Sequence, residues 1–251
     1  MKRAIGGDMA FALVTAVLLL VTHAVAYLIH EYAHSFTAWA LGYMANPLAL
    51  EYGGLTPGNL VFLIEVGDNV AYDPILKGGD GLAVAAIALA GPLIGNGLLY
   101  ILLHALAPRL AARGPVAASF LFWMLLMCAA NMWSYVPIRA ITTHADIAIA
   151  AEGLGIGVLP LFPILLVPSL ALVGHFFLKA CPRFIPAIAE GASARTALMV
   201  ALTGAWFFLL FGGIGFSGSY GPVSQAFSIL SEALLMPLSV VWLWQRCSVK
   251  A

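Results

Sequence analysis

The chain contains six apolar runs, each about as long as or longer than the roughly 20 residues that a helix needs to cross a bilayer. Only 9% of the 251 residues are charged, whereas soluble domains carry about 25%. This pattern predicts an all-α polytopic membrane protein with about six transmembrane helices, forming a single domain over residues 1–251. The runs cover residues 9–41, 82–107, 116–136, 155–178, 196–216 and 223–244.

Charge and cysteine content exclude several other classes of protein. The formal net charge is zero, so the composition gives no reason to expect a nucleic-acid partner. Cys128, Cys181 and Cys247 are far apart and form no CxxC pair, which argues against both a disulfide framework and a thiolate metal cluster. The lipid bilayer is therefore the partner that composition predicts, and the oligomeric state stays open.

The distribution of Lys and Arg predicts the orientation of the chain. In a six-span arrangement, only Lys77 and Arg139 lie on the side opposite to the other basic residues. Because short loops rich in Lys and Arg stay in the cytoplasm, we expect both termini to be cytoplasmic, in an inner (cytoplasmic) membrane. The basic residues on the predicted cytoplasmic side are Lys2, Arg3, Arg109, Arg113, Lys179, Arg183, Arg195, Arg246 and Lys250.

The N-terminal segment also has the features of a secretory signal peptide. Lys2 and Arg3 precede an apolar stretch, and Ala24 to Ala26 could form a small-residue cleavage site. Cleavage there would remove the helix that holds His30 in the membrane. We therefore interpret the segment as an uncleaved first span.

The loop after the first span has a strand-like pattern. "NPLALEY" (46–52) and "NLVFLIEV" (59–66) are separated by "GGLTPGN", which is rich in turn-forming residues. The pattern predicts a small β-hairpin. Because free strand edges are not tolerated in lipid, this hairpin is expected outside the membrane or buried against protein.

The segment "LIHEYAHSFTAWALG", residues 28–42, places ionisable side chains inside the first apolar run. On a helix, residues four apart lie on one face about 6 Å apart, so His30 and His34 can direct ring nitrogens at one ion. Glu31 lies beside them and can reach a water on that ion. This HExxH arrangement is typical of zinc hydrolases, in which the carboxylate takes a proton from a water acidified by the metal. Because ionisable residues inside a span are costly, we favour a Zn²⁺ site over polar groups that only satisfy one another.

A hydrolytic zinc site needs a third protein ligand and a position open to water. Few acids qualify, since only Asp146, Glu152 and Glu232 lie in or next to spans without an obvious cytoplasmic location. Asp146 follows the third span on its outer side and is the favoured ligand. His144, two residues earlier, is the rival. Glu232, near the middle of the sixth span, either faces the bundle interior or lines a gate.

Three segments resemble peptidase family M50, the site-2-type intramembrane zinc metalloproteases. "HEYAHSFTAWALG" is similar to the zinc helix of that family, and "ALAGPLIGNGLLY" (88–100) is similar to its Gly-Pro segment followed by Asn. "NMWSYVPIRAITTHAD" (131–146) resembles the Asn-and-Pro segment that ends in a metal-binding Asp. The predicted hairpin also has a counterpart there, which presents the substrate as an added strand. The likeness covers roughly the first 150 residues.

The resemblance implies a role for five residues. Zinc would be bound by His30, His34 and Asp146. Glu31 would be the general base, and Asn131 would help hold the substrate or the oxyanion.

The chain departs from the family pattern in two ways. Pro137 lies six residues after Asn131, Asp146 lies nine after Pro137, and Ile147 stands where the family has Gly. This spacing leaves both Asp146 and His144 open as the third ligand. In many family members the site is also nearer the cytosol, whereas the basic residues here place it in the outer half of the membrane.

The function expected from these residues is that of an intramembrane zinc metallo-endopeptidase. It would hydrolyse peptide bonds of membrane-anchored or membrane-adjacent proteins through a zinc-activated water. The alternative is a transporter, or a binding protein for a metal or small molecule, that uses the same His and Asp ligands without hydrolysis. Glu31 favours the peptidase, because a pure binding site has no need of a carboxylate beside its first ligand.

Overall fold

The computed structural model describes residues 6–142, 144–216 and 220–248. Lys2, Arg3 and Lys250, on which part of the orientation prediction depends, lie outside the described residues. Within these ranges the chain is helical, and its helices in order are α1 (Asp8–Ala40), α2 (Pro57–Phe62), α3 (Tyr72–Lys77), α4 (Gly81–Ala111), α5 (Pro115–Ile138), α6 (Asp146–Gly153), α7 (Val158–Ala189), α8 (Ser193–Phe216) and α9 (Pro222–Cys247).

The prediction of about six long apolar helices is confirmed. In the described part of the chain, α1, α4, α5, α7, α8 and α9 are long and apolar enough to cross a membrane. The largest extensions past the predicted runs are those of α4, which continues to Ala111, and α7, which continues to Ala189. Apolar content marks the hydrocarbon core, whereas main-chain hydrogen bonding continues into the interfacial region. Sequence pattern therefore locates the span better than the helix end.

The predicted β-hairpin is not formed. Within the described residues of this loop, pairing is limited to one antiparallel bridge between Glu51 and Gly67, with N–H to O distances of 3.0 and 2.9 Å. The second predicted strand instead begins inside α2, where Thr56 caps the helix by accepting from the Asn59 N–H and Pro57 takes the first helical position. A capping Thr followed by Pro is a strong helix-start signal, and it outweighs the apolar pattern that follows.

The loop is nevertheless tightly hydrogen-bonded. The Asn59 side chain donates to the carbonyls of Tyr52 and Gly54 and accepts from the Glu65 N–H. The Glu65 carboxylate accepts from the Gly54 N–H and the Thr56 hydroxyl, and these bonds hold the pKa of Glu65 below its ordinary value. The loop thus satisfies its main chain without a strand ladder.

The centre of the bundle is α5. Every residue from 121 to 138 is buried, and the helix packs against α1, α4, α7 and α8. Large apolar side chains are by contrast exposed along the outer helices, such as Leu13 on α1 and Ile164 and Val167 on α7. Apolar surface of this extent is unusual for a water-soluble monomer and is expected of a surface that faces lipid.

Two glycine contacts bring α4 close to its neighbours. A Cβ at Gly95 would lie 2.8 Å from the Cα of His30, so the backbones of α4 and α1 approach each other closely at this histidine. At its start, Gly81 meets Gly153 of α6, where a Cβ on Gly81 would lie 2.0 Å from the Gly153 carbonyl oxygen. Small residues allow such close approach of helix backbones. The short helix α6 is thereby held against the same helix that contacts His30.

Candidate metal centre

Three side chains from two distant parts of the chain converge at one point. His30 and His34 lie one turn apart on α1, and their Nε2 atoms are 3.2 Å apart. The Oδ2 atom of Asp146, the first residue of α6, lies 3.1 Å from His30 Nε2 and 3.4 Å from His34 Nε2. Both imidazoles are buried, and the Asp146 side chain is 18% exposed. Their ligand atoms all lie within 4.8 Å of one another, so this group could hold a metal ion.

The backbone before Asp146 is strained. Ala145 has φ 75° and ψ 169°, a region that is almost restricted to glycine. This turn starts α6 with Asp146 directed at the two histidines, and burial of α6 against α4 offsets the local cost. The Asp146 carboxylate is therefore positioned by the turn at Ala145 and by the start of α6.

The position of the hydrogen on His34 follows from its partner. The Nδ1 atom of His34 lies 2.7 Å from the main-chain oxygen of Ile87 on α4. Because a carbonyl oxygen can only accept, Nδ1 must carry the hydrogen and donate it. In neutral His34 the Nε2 atom is then unprotonated, and its lone pair is directed at the group. This is the tautomer that a metal ligand needs.

The Nδ1 atom of His30 faces a side chain, Asn96, and not a main-chain oxygen. The side-chain amide of Asn96 lies 2.6 Å from His30 Nδ1, and both residues are buried. With its nitrogen towards the ring, the amide donates to Nδ1, and His30 Nε2–H can donate to Asp146. With its oxygen towards the ring, the amide accepts from Nδ1–H and leaves Nε2 free for a metal. Asn96 can therefore support either tautomer of His30.

Space at the centre of the group is kept open by Gly91. A Cβ at this position would lie 2.2 Å from His34 Nε2 and 2.6 Å from His30 Nε2. Gly91 starts a wide, π-type turn of α4 that runs to Leu98 and contains Asn96. Such turns occur frequently at functional sites. Two imidazole nitrogens and one carboxylate oxygen, next to a position where a larger residue would clash with both rings, form a donor set that fits a divalent metal.

The predicted general base lies beside this group. Glu31 is 7% exposed, and no described protein group donates a hydrogen bond to its carboxylate or forms an ion pair with it. A buried carboxylate without a protein partner is unusual, because burial without hydrogen bonds is costly. Glu31 is thus available to a water or a substrate.

Asn131, the other predicted catalytic residue, lies on the wall of a cavity next to the metal group. The cavity also borders Tyr135, whose ring stacks on His30 with centroids 4.6 Å apart. Asn131 is buried and is not part of the metal group itself.

The remaining candidates lie elsewhere. His144 stacks on Tyr220 with ring centroids 4.5 Å apart, and Glu152 borders a separate cavity next to α3. Glu232 packs against Gly213 of α8, where a Cβ would lie 2.5 Å from Glu232 Oε1. Of the candidate third ligands, the structure brings Asp146 to the two histidines.

Sequence reasoning missed several residues that shape the centre. Asp68, in the loop after α1, places Oδ2 4.0 Å from His34 Nδ1 and accepts a hydrogen bond through its main-chain oxygen from the Ser35 hydroxyl. Gly91 and Asn96 fall inside the segment "ALAGPLIGNGLLY", for which the sequence predicted no contact with the two histidines. The sequence signal that could have identified them is a Gly-Pro pair followed by Asn, in a chain that also carries an HExxH sequence.

The pKa of the Asp146 carboxyl depends on burial and on its two histidine neighbours. Burial by itself would raise the pKa of the Asp146 carboxyl, but His34 and His30 outweigh burial and hold this pKa below its ordinary value. Asp146 is therefore a carboxylate, the form in which it binds a cation.

Comparisons with family models, with curated proteins and with solved structures found no match to this chain. The described residues form a helical protein with six helices long and apolar enough to cross a membrane and a His-His-Asp group, its two histidines buried, that could hold a metal ion.

Proposed function

We propose that this chain is an intramembrane zinc metallo-endopeptidase similar to peptidase family M50. The observation that carries the proposal is the meeting of His30 and Asp146, 116 positions apart in sequence, at a buried group with an unpartnered Glu31 beside it. A chance HExxH sequence would not bring a third ligand, from another helix, to the same two nitrogens. A His-His-carboxylate donor set is among those that catalytic zinc sites use.

The residues have distinct roles in this proposal. His30, His34 and Asp146 would hold the zinc ion, which supplies the positive charge that makes a water nucleophilic near neutral pH. Glu31 would accept the proton of the attacking water and deliver it to the nitrogen of the leaving peptide. Asn131 would donate from its amide to the substrate main chain or to the oxyanion, from its place on the cavity wall.

The substrate class follows from the location of the group. It lies among helices that are long and apolar enough to span a membrane, so a membrane-anchored or membrane-adjacent protein is the proposed substrate. We also propose that both termini face the cytoplasm of an inner membrane. Proteolysis of terminal tags in intact and opened spheroplasts tests this orientation, and digestion of both tags in intact spheroplasts would reverse it.

The decisive experiment compares wild type with Glu31→Gln. Both are purified in detergent, analysed for zinc, and incubated with a mixture of single-span membrane proteins whose new N-termini are read by mass spectrometry. Glu31→Gln is expected to keep zinc and lose cleavage. Cleavage that survives this substitution would refute the base, and wild type that binds zinc but cuts nothing would favour the transporter or binding alternative.

A further inference from the structure

Arg139 is one of two basic residues on the predicted outer side, and the structure turns it into the bundle. It directly follows α5, and its guanidinium carbon lies 3.6 Å from the centroid of the Tyr135 ring. The same Tyr135 ring stacks on His30, with centroids 4.6 Å apart. The Tyr135 ring therefore contacts both the Arg139 guanidinium and the proposed metal ligand His30.

The positive charge of Arg139 is not neutralised by an ion pair. Every Asp and Glu of the chain lies in the described ranges, and none of them is within 4.0 Å of its guanidinium. The guanidinium lies over the face of Tyr135 and is hydrogen-bonded to the side chain of Tyr220, whereas its Nε atom is buried without a hydrogen-bond partner. The next acid along the chain, Asp146, is engaged by the two imidazoles.

A cavity of about 450 Å³ opens beside this guanidinium. This volume is within the range of small-ligand sites. The cavity borders Asn131 and Ser134 of α5, and its other polar lining residues are His23, Tyr27, Tyr135, Arg139 and Tyr220. Tyr27 lies on α1 one turn before Glu31. The cavity therefore runs alongside the proposed catalytic residues and contains no acidic residue.

A guanidinium whose buried Nε–H has no partner fits one kind of ligand best. Its planar fork matches a carboxylate, which can accept from Nε–H and from one terminal N–H at once. A buried cation without a counter-ion is costly, and an incoming anion would remove that cost. Within a peptide, a carboxylate is present at an Asp or Glu side chain or at the C-terminus.

We propose that this cavity binds a carboxylate of the peptide substrate through Arg139, so that the enzyme acts next to an acidic residue or a free C-terminus. The inference rests on the proposed peptidase function for the identity of the ligand. The binding of a carboxylate can nevertheless be measured without cleavage.

The test measures peptide binding to the full chain carrying Glu31→Gln, which prevents turnover. Two pairs of acetylated tetrapeptides are compared by calorimetry in detergent. The first pair is amidated Ala-Ala-Glu-Ala against amidated Ala-Ala-Gln-Ala, and the second is Ala-Ala-Ala-Ala with a free carboxylate against its amide. In at least one pair the carboxylate peptide is expected to bind about tenfold more tightly, and the pair shows which source of carboxylate is used.

Variants at Arg139 decide whether this residue is responsible. Arg139→Gln is expected to abolish the preference, Arg139→Lys to reduce it because the fork is lost, and the exposed control Arg113→Gln to leave it unchanged. Should Arg139→Gln fail to keep the zinc content of its parent, Arg139→Lys decides alone, and an unchanged preference in it overturns the proposal.

Equal binding within both pairs, or no binding of any peptide at millimolar concentration, would also overturn the proposal. Cleavage of the same peptides by the chain with Glu31 intact is measured separately. Discrimination without cleavage leaves the Arg139 site standing and counts against the peptidase, whereas cleavage without discrimination removes only the Arg139 site.

Discussion

His34 on α1 donates from Nδ1 to the main-chain oxygen of Ile87 on α4 over 2.7 Å. The acceptor belongs to the backbone, so it neither titrates nor depends on the side chain at position 87. It fixes the ring orientation and the tautomer of His34, and it does so within a helix packed directly against the HExxH helix. The site is thus built into the contact between α1 and α4 and is completed by α6.

Zinc content is the first property that the three-ligand group predicts. Wild type purified in detergent should hold near-stoichiometric zinc, and both His34→Ala and Asp146→Ala should lose it, because each removes a donor from a group of three. The control is His144→Ala, which removes a ring that stacks on Tyr220 and should leave zinc in place. Metal analysis by mass spectrometry reads all four proteins, and loss in His144→Ala but not Asp146→Ala would exchange the two assignments.

Gly91 should be intolerant of even one methyl group. In Gly91→Ala the new Cβ would lie within about 3 Å of both Nε2 atoms, as the distances of 2.2 and 2.6 Å require, so zinc should be lost. Gly97, in the same wide turn, is the matched control because a Cβ there meets its nearest atom at 3.5 Å. Gly97→Ala should keep zinc. Full zinc in Gly91→Ala would mean that the nitrogens do not converge as described.

Asn96 should tune the affinity for metal without being a ligand. Loss of a group that orients a metal-bound histidine typically lowers affinity about 10–100-fold, and we expect this for Asn96→Ala. Asn96→Asp places a carboxylate oxygen next to His30 Nδ1, where it can accept from Nδ1–H, and should retain affinity close to that of wild type. Competition with a zinc chelator measures both variants, and equal affinity in Asn96→Ala would show that the contact is only structural.

Ala145 should be a site where glycine stabilises the protein. Relief of its positive φ is expected to raise stability by about 1 kcal/mol, since strained residues of this kind cost roughly 1–3 kcal/mol. Ala148→Gly, within α6, should instead lower stability by about 1 kcal/mol. Thermal unfolding in detergent compares the two, and a lowered midpoint in Ala145→Gly would contradict the strained turn.

The loop that replaces the predicted hairpin should loosen at low pH. The pKa of Glu65 is lowered in the folded loop by hydrogen bonds from the Gly54 N–H and the Thr56 hydroxyl. The stabilisation is therefore complete above the unfolded pKa of the carboxyl and is lost as pH falls through the lower, folded value. The protection of the Gly54 N–H against hydrogen exchange, measured relative to an unfolded peptide at the same pH, should fall over this range in wild type. Glu65→Gln should show no such step, and Glu51→Gln should behave like wild type.

The sequence by itself determined the class of protein and most of the residues of the site. Six apolar runs identify segments that favour transfer into lipid, because this tendency depends on composition and length and not on tertiary contacts. The pairing of His30 with His34 is likewise local, because a helix places residues four apart on one face. The hairpin prediction was wrong because a local capping signal at Thr56 and Pro57 outweighed alternating apolarity.

Only the tertiary structure decided between Asp146 and His144, since they lie two residues apart and the spacing from Asn131 and Pro137 departs from the family pattern. The choice depends on the strained turn at Ala145 and on the close contact of Gly81 with Gly153, which place α6 on α4. The roles of Gly91, Asn96 and Arg139 were also hidden, because each acts across a helix interface. Contacts between residues distant in sequence follow from how helices pack, and no local pattern records that packing.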